Sequence, residues 1–178
     1  MVCLCFLEAE YVRRKTFHER SEDADHHERS AAAEVGVMLA GKSKADEAAA
    51  RSYGMNLGIA FQLIDDALDY GGSSAKLGKN VGDDFREGKI TLPVVLSFRR
   101  GSQSERMFWS RTLEKGKVTD ADLETAIKLM TEHRALEDTI KRAHHYGEMA
   151  RDALALFPAS PMKQALEEAV EFCTARTH

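Results

Sequence analysis

Proline and cysteine are scarce, with three of each in 178 residues, and each scarcity narrows the answer. Few prolines among plentiful alanine, leucine and glutamate leave helices uninterrupted. Cys3, Cys5 and Cys173 are odd in number, which argues against a disulfide framework and fits a reducing cytosol. The Cys-x-Cys pair has no second pair with which to hold zinc. No apolar run approaches the ~20 residues that a membrane span requires, and a net charge of -4 gives no footing for nucleic acid. The opening "MVCLCFLEAEYVRR" lacks a basic leader and a small-residue cleavage site, so no secretion signal is expected. The composition predicts a helical cytoplasmic protein with one core.

Positive charge is missing from one place in particular. From Ser52 through Ala75 there is no lysine or arginine, although 25 residues of the chain are one or the other. Within this gap lies "FQLIDDALDY" (61–70). Helical spacing puts Gln62, Asp65, Asp66 and Asp69 on one polar stripe and Leu57, Phe61, Ile64 and Leu68 on an apolar stripe beside it. Like charges at i,i+4 oppose a helix, more so next to apolar groups that lower the dielectric. An acidic face turned to water is the ordinary explanation of such a run, but solvated faces intersperse lysines and this one does not. Hard divalent cations prefer carboxylate oxygens, and magnesium takes one or two from the protein and completes its shell with water and phosphate. The following "GGSSAKLGKNVGDDFREGKITLP" (71–93) supplies Lys79, Lys89 and glycines, the material of a phosphate site.

"FQLIDDALDY" followed by "GKNVGDDFREGKITLP" resembles the second aspartate-rich region of the trans-isoprenyl (polyprenyl) diphosphate synthase family. The compound pattern covers more than a dozen positions, and "LGKNVGDDFREGKITLPV" is most similar to long-chain members that make quinone side chains, the octaprenyl and decaprenyl diphosphate synthases. The resemblance implies an all-α, isoprenoid-synthase-type helical bundle, usually dimeric. It makes Asp65, Asp66 and Asp69 magnesium-binding carboxylates. Phe61 and Gln62 would line the pocket of the allylic diphosphate, Lys79 would touch its diphosphate, and Asp84 and Lys89 would belong to the loop that closes over it. Ionisation of the allylic diphosphate then lets isopentenyl diphosphate attack, with Asp65, Asp66 and Lys79 nearest the chemistry. A terpene cyclase shares this ionisation, but the Gly-Asp-Asp loop speaks for chain elongation.

The chain departs from the pattern in its first part. The family uses two aspartate-rich motifs, and only one is present; Asp83-Asp84 lies in the loop. An Arg-Arg-Gly triplet, which normally follows the first motif, occurs at Arg99–Gly101, far beyond the second, and is read as coincidence. "RRKT" (13–16) resembles the family's Lys-Thr, making Lys15 a diphosphate contact. The small-residue helix that normally follows directly begins only after the charge-dense "FHERSEDADHHER" (17–29). Residues 1–29 are therefore an atypical segment and 30–178 the C-terminal part of the family's helical domain. His18, His26 and His27 fit a solvated stretch rather than a metal site, and Asp23, Asp25 and Glu34 fail as a calcium loop because Glu28 stands where glycine is needed.

Farther on, Thr119 with Asp122 forms a capping box and Ser160-Pro161 a second helix start. Leu136, Ile140, Ala143, Gly147, Ala150, Leu154 and Phe157 trace a packing seam. His133, His144 and His145 are expected at the surface or satisfied in the core. An incomplete bundle is expected to expose apolar surface along Leu57, Phe61, Ile64 and Leu68, and so to pair as a homodimer or with another synthase chain. Without the first motif the chain is expected to be inactive alone, either a fragment of a synthase or a non-catalytic subunit.

Overall fold

The computed structural model describes residues 29–71, 81–115 and 118–176, and every regular element among them is helical. Helical residues 29–39 form α1, followed by α2 (Lys44–Tyr70), α3 (Asp83–Arg86), α4 (Leu92–Arg100), α5 (Gln103–Lys115), α6 (Asp120–Glu132), α7 (Ala135–Ala153) and α8 (Pro161–Ala175). A 3-10 turn, Leu154–Leu156, closes α7. Local chemistry sets these boundaries. Thr119 and Asp122 form the predicted reciprocal capping box at α6, and Ser160 Oγ accepts from the Lys163 amide ahead of Pro161. Two further reciprocal pairs, Ser43 with Asp46 and Ser102 with Glu105, start α2 and α5. Each cap of this kind contributes about 1 kcal/mol by satisfying amides that the first turn leaves open.

The described residues divide into two compact units, one of 65–71, 81–115 and 118–140, the other of 29–64 and 141–176. In the first, Trp109 is fully buried, with Phe85 and Phe108 set edge-on to it at 6.0 Å and 5.3 Å. Leu123, Ala126 and Met130 of α6 and Val94 of α4 complete this core. Between α6 and α7 Arg134 adopts a left-handed conformation, φ 52°. Arg100, at the end of α4, binds the His133 carbonyl and Asp138 across that turn. Arg99 and Arg100 are the last residues of α4, and Gly101 is its cap.

In the second unit Tyr53, Ala150, Leu154 and Val170 form the core, and Tyr53 donates to the Leu166 carbonyl at 3.0 Å. The seam of α7 is buried at Ala143, Gly147, Ala150 and Leu154, as its spacing predicts. The apolar stripe of α2 needs correction. Its buried line runs through Tyr53, Asn56, Ala60, Ile64, Ala67 and Tyr70, whereas Leu57, Phe61 and Leu68 are only half-buried. Small alanines permit closer packing than the larger side chains beside them, so the helix turns that edge inward. The exposed large apolar side chains are instead Leu39 of α1, Met107 of α5, Leu156, and Met162 and Phe172 of α8.

The approach of α1 to α2 is close enough to demand glycine. A Cβ at Gly54 would stand 2.6 Å from the Arg29 carbonyl oxygen and 2.9 Å from Ser30 Cα, both backbone atoms. Ser30 Oγ donates to the Arg51 carbonyl at 3.1 Å at the same crossing. Replacing Gly54 by alanine is expected to destabilise the chain by roughly 1–3 kcal/mol despite the ~1 kcal/mol gained in helix propensity. Gly36→Ala, where a Cβ meets nothing within 4 Å, should be neutral or stabilising. Urea unfolding followed by circular dichroism decides it: an unchanged midpoint for Gly54→Ala would refute so tight a crossing.

Candidate active site

The last turns of α2 carry the acidic cluster. Asp66 is buried, while Asp65 and Asp69 are half-buried. Adjacent residues on a helix point about 100° apart, so Asp65 and Asp66 address different surroundings, and Asp69 lies one turn below Asp65 and Asp66. The chain then returns to this end of α2. The Gly82 amide donates to the Asp69 carbonyl at 2.8 Å, and the Asp84 amide donates to Asp69 Oδ2 at 3.1 Å.

Three features of the sequence hold that return. Gly82 takes φ 78° and Gly88 φ 72°, left-handed values that bracket the single turn of α3. No side chain fits at Gly82, where a Cβ would stand 2.3 Å from Leu123 Cδ1. Between the glycines, Phe85 is sunk against Trp109 and pins α3 to the core. Past Gly88 the chain brings Lys89 back, and its Nζ donates to Asp84 Oδ1 at 2.7 Å and pairs with Glu87 Oε2 at 3.0 Å. The loop glycines and Lys89 are thus parts of one structure.

The electrostatics follow from crowding. Burial, then the charges of Asp84 and Asp83, raises the Asp69 carboxyl to about 6, against the lowering effect of amide hydrogen bonds from the same two residues. Burial pulls the Lys89 ammonium down, but its bonds to Asp84 and Glu87 outweigh that and leave it raised overall. The Tyr70 phenol, buried and 3.5 Å from Thr91 Oγ1, is pushed up by that burial. Hard oxygen donors under negative potential suit a hard cation such as magnesium. Among the described residues no three His, Cys, Asp or Glu side chains converge as a complete ligand set. A shell finished by water and diphosphate oxygens is the chemistry such a donor set allows.

The other expected site residues are distributed as follows. Phe61 and Gln62 lie half-buried on α2. Asp84 and Lys89 are the ion pair just described. Lys79 and Lys15 lie outside the described residues, as do His18, His26 and His27. His133 Nε2 is 3.2 Å from Glu105 Oε2, while His144 and His145 are exposed. Two residues escaped the sequence reading: Arg29 and Arg176 both lie over the Phe61 ring. Sequence spacing carries no signal for a meeting of two ends of a chain.

The Asp69 carboxyl gives a test of this geometry. A carboxyl at about 6 in the folded chain against an ordinary value of 3.8 means that the folded state holds the proton more tightly between those values. The resulting destabilisation is absent below about pH 4, grows through that window, and is complete above about pH 6. Asp69→Asn keeps an acceptor for the Asp84 amide and removes the charge. It should be more stable than the parent at pH 7, on the order of 1–2 kcal/mol after screening, and equal to it near pH 4. Thermal melts across that range read the difference; a gap that widens as pH falls would overturn the assignment.

Comparison with known proteins places this arrangement. Residues 28–130 match the Polyprenyl synthetase family. An octaprenyl diphosphate synthase of Haemophilus influenzae is 40% identical over 135 residues, 76% of this chain and 41% of that protein. Thus the chain spans about two fifths of the length of the curated relatives it matches. The crystal structure of a decaprenyl diphosphate synthase from Rhodobacter capsulatus superposes with TM-score 0.78 at 46% identity, over 84% of this chain and 46% of that one. A Caulobacter crescentus polyprenyl synthase, complexed with calcium and isoprenyl diphosphate, gives TM-score 0.77 at 47% identity over the same shares. The helical architecture, the acidic end of α2 and these matches agree: the chain belongs to the polyprenyl synthetase family and has its all-α isoprenoid-synthase fold.

Proposed function

We propose that this chain supplies the second aspartate-rich half of a long-chain polyprenyl diphosphate synthase of the quinone side-chain type. The observation that carries the reading is the closure of the Gly-Asp-Asp loop on α2 through the Asp84 amide and Asp69, with Lys89 held on Asp84. In this reading Asp65, Asp66 and Asp69 hold magnesium, which, when bound, neutralises charge on the departing diphosphate. Asp65 is more accessible than buried Asp66, and so it offers the more direct ligand. Lys79 and Lys89 bind diphosphate oxygens, and Phe61 and Gln62 border the allylic chain. The allylic C–O bond breaks with loss of diphosphate, the double bond of isopentenyl diphosphate forms the new C–C bond, and a proton leaves. Placement and charge neutralisation are the protein's whole contribution.

Residues 30–178 then correspond to the C-terminal part of the family domain, with 1–29 an atypical N-terminal segment. Among the described residues no helix is long and apolar enough to cross a membrane, which is compatible with work in the cytoplasm. The chain alone, or paired with a second copy of itself, is inactive on this reading, because the first aspartate motif must come from a separate synthase chain. A non-catalytic subunit is the second reading, favoured by the exposed Leu39, Met162 and Phe172, which a partner would cover.

Purified chain incubated with labelled isopentenyl diphosphate, farnesyl diphosphate and magnesium should give no extractable longer prenyl diphosphate. Adding a full-length relative whose own second motif is disabled should raise turnover at least tenfold above either alone, and Asp65→Ala in this chain should abolish that gain. Product from the chain alone that vanishes in Asp65→Ala would show that one motif suffices. A gain that survives Asp65→Ala would establish the non-catalytic subunit.

A further inference from the structure

The second unit contains a cavity of about 610 Å³ that the reading above does not use. Its wall includes Ala33 and Val37 of α1, Tyr53 of α2, Leu154 and Phe157 at the end of α7, and Leu166 of α8, and is almost wholly apolar. The Tyr53 hydroxyl is already spent on the Leu166 carbonyl. On α2 the wall ends at Tyr53, more than three turns before Asp65, so the cavity is not the aspartate site. Two lysines also line it. Lys42 is exposed in the turn between α1 and α2, and Lys163 Nζ donates at 3.1 Å to the carbonyl of Phe157, itself part of the wall. Lys44, Lys89 and Lys128 pair with acids. Among the described residues Lys42 and Lys163 meet no carboxylate at that distance; Asp46, bonded to Ser43, feels Lys42 only through space.

The geometry points to a site for one anionic amphiphile: a single hydrocarbon chain lies in this cavity, with its charged head at Lys42 and Lys163. The volume falls within the roughly 300–1,000 Å³ usual for small-ligand pockets. A partner helix, roughly 10–12 Å across, would fill it with little more than one turn, which favours a slender chain as the occupant. Gly36 lines the cavity, and a Cβ there would meet nothing within 4 Å, so this stretch of wall is bare backbone against which a chain can lie. An apolar wall rewards hydrocarbon and offers little to orient a polar ligand, while the two cations stand together on one ligand's path to solvent. A lysine ammonium is a point charge without a preferred plane, so it selects the head by charge rather than by shape, and a carboxylate or a phosphate serves alike. The site stands without the prenyl transfer proposed above and needs no metal.

Octanoate, decanoate and dodecanoate, each below its micelle concentration, are titrated calorimetrically into the full 178-residue chain in excess EDTA, where a magnesium-dependent site is silent. Affinity should rise with chain length, by roughly fourfold for each methylene fully buried. Decanol, the same chain without a charge, should bind at least fivefold more weakly than decanoate. Lys42→Met with Lys163→Met keeps the apolar stems and removes both charges, and it should erase that difference. Gly36→Phe puts a ring into the cavity and should weaken dodecanoate at least tenfold while circular dichroism shows it folded. Asp65→Ala should bind as the parent does. Farnesyl phosphate beside dodecanoate distinguishes an isoprenoid from an acyl chain, and Gly36→Phe should weaken both. The proposal fails if dodecanoate does not bind the parent, if affinity does not rise with chain length, if decanol matches decanoate, or if folded Gly36→Phe binds like the parent. A parent that binds no amphiphile but forms a dimer broken by Gly36→Phe would make the cavity a protein-docking groove instead.

Discussion

A carboxylate that accepts an amide hydrogen bond from its own downstream loop is the joint on which the acidic region depends. Asp69 takes the Asp84 amide on its side chain and the Gly82 amide on its carbonyl, so one residue receives two amides of the returning loop. Without that contact α3 keeps Phe85 beside Trp109 and the Arg86–Asp120 ion pair. Phe85, seated beside Trp109, fixes the turn from which the Asp84 amide reaches Asp69. The two attachments are different in kind, one polar and directional, one apolar and close-packed, and each makes the other effective.

The same joint explains how a chain tolerates so many aspartates at one helix end. Burial, and then repulsion from Asp84 and Asp83, raises the Asp69 carboxyl. Backbone amides offset part of it without adding a charge, and Lys89 offsets more by binding Asp84. What remains is a negative potential at a place with oxygen donors and no lysine or arginine on α2 from Ser52 to Tyr70. In the proposed chemistry that residual potential is the useful part, since a fully neutralised cluster would have no reason to attract a divalent cation.

Much of this was legible in the sequence, and the parts that were not share a cause. The acidic turn of α2, the capping box at Thr119 and the helix start at Ser160 depend on residues three or four apart, where helical geometry alone decides who meets whom. Gly82 and Gly88, two of the glycines that the sequence offers as material of a phosphate site, take left-handed turns on either side of Phe85, a placement that no local pattern announces. On α2 the expected apolar stripe meets the buried line at Ile64 alone; elsewhere size does not decide burial, and Ala60 and Ala67 are inside while Leu57, Phe61 and Leu68 are at the flank. Arg29 and Arg176 meet at Phe61 only through tertiary folding, and nothing local announces it.

Energetics also constrain the partner that the proposed function requires. Leu39, Met162 and Phe172 stand largely in solvent, and burying such side chains is worth roughly 1.5–3 kcal/mol each. Association costs about 4–15 kcal/mol in lost freedom, so three apolar contacts bring the balance near zero and no further. On the proposed reading the deficit is met by something that both partners bind. A diphosphate held through magnesium by the aspartates of this chain and by a first motif on the other would lower the free energy only of the assembled pair. Assembly and substrate binding would then be linked equilibria, each strengthening the other by the same factor.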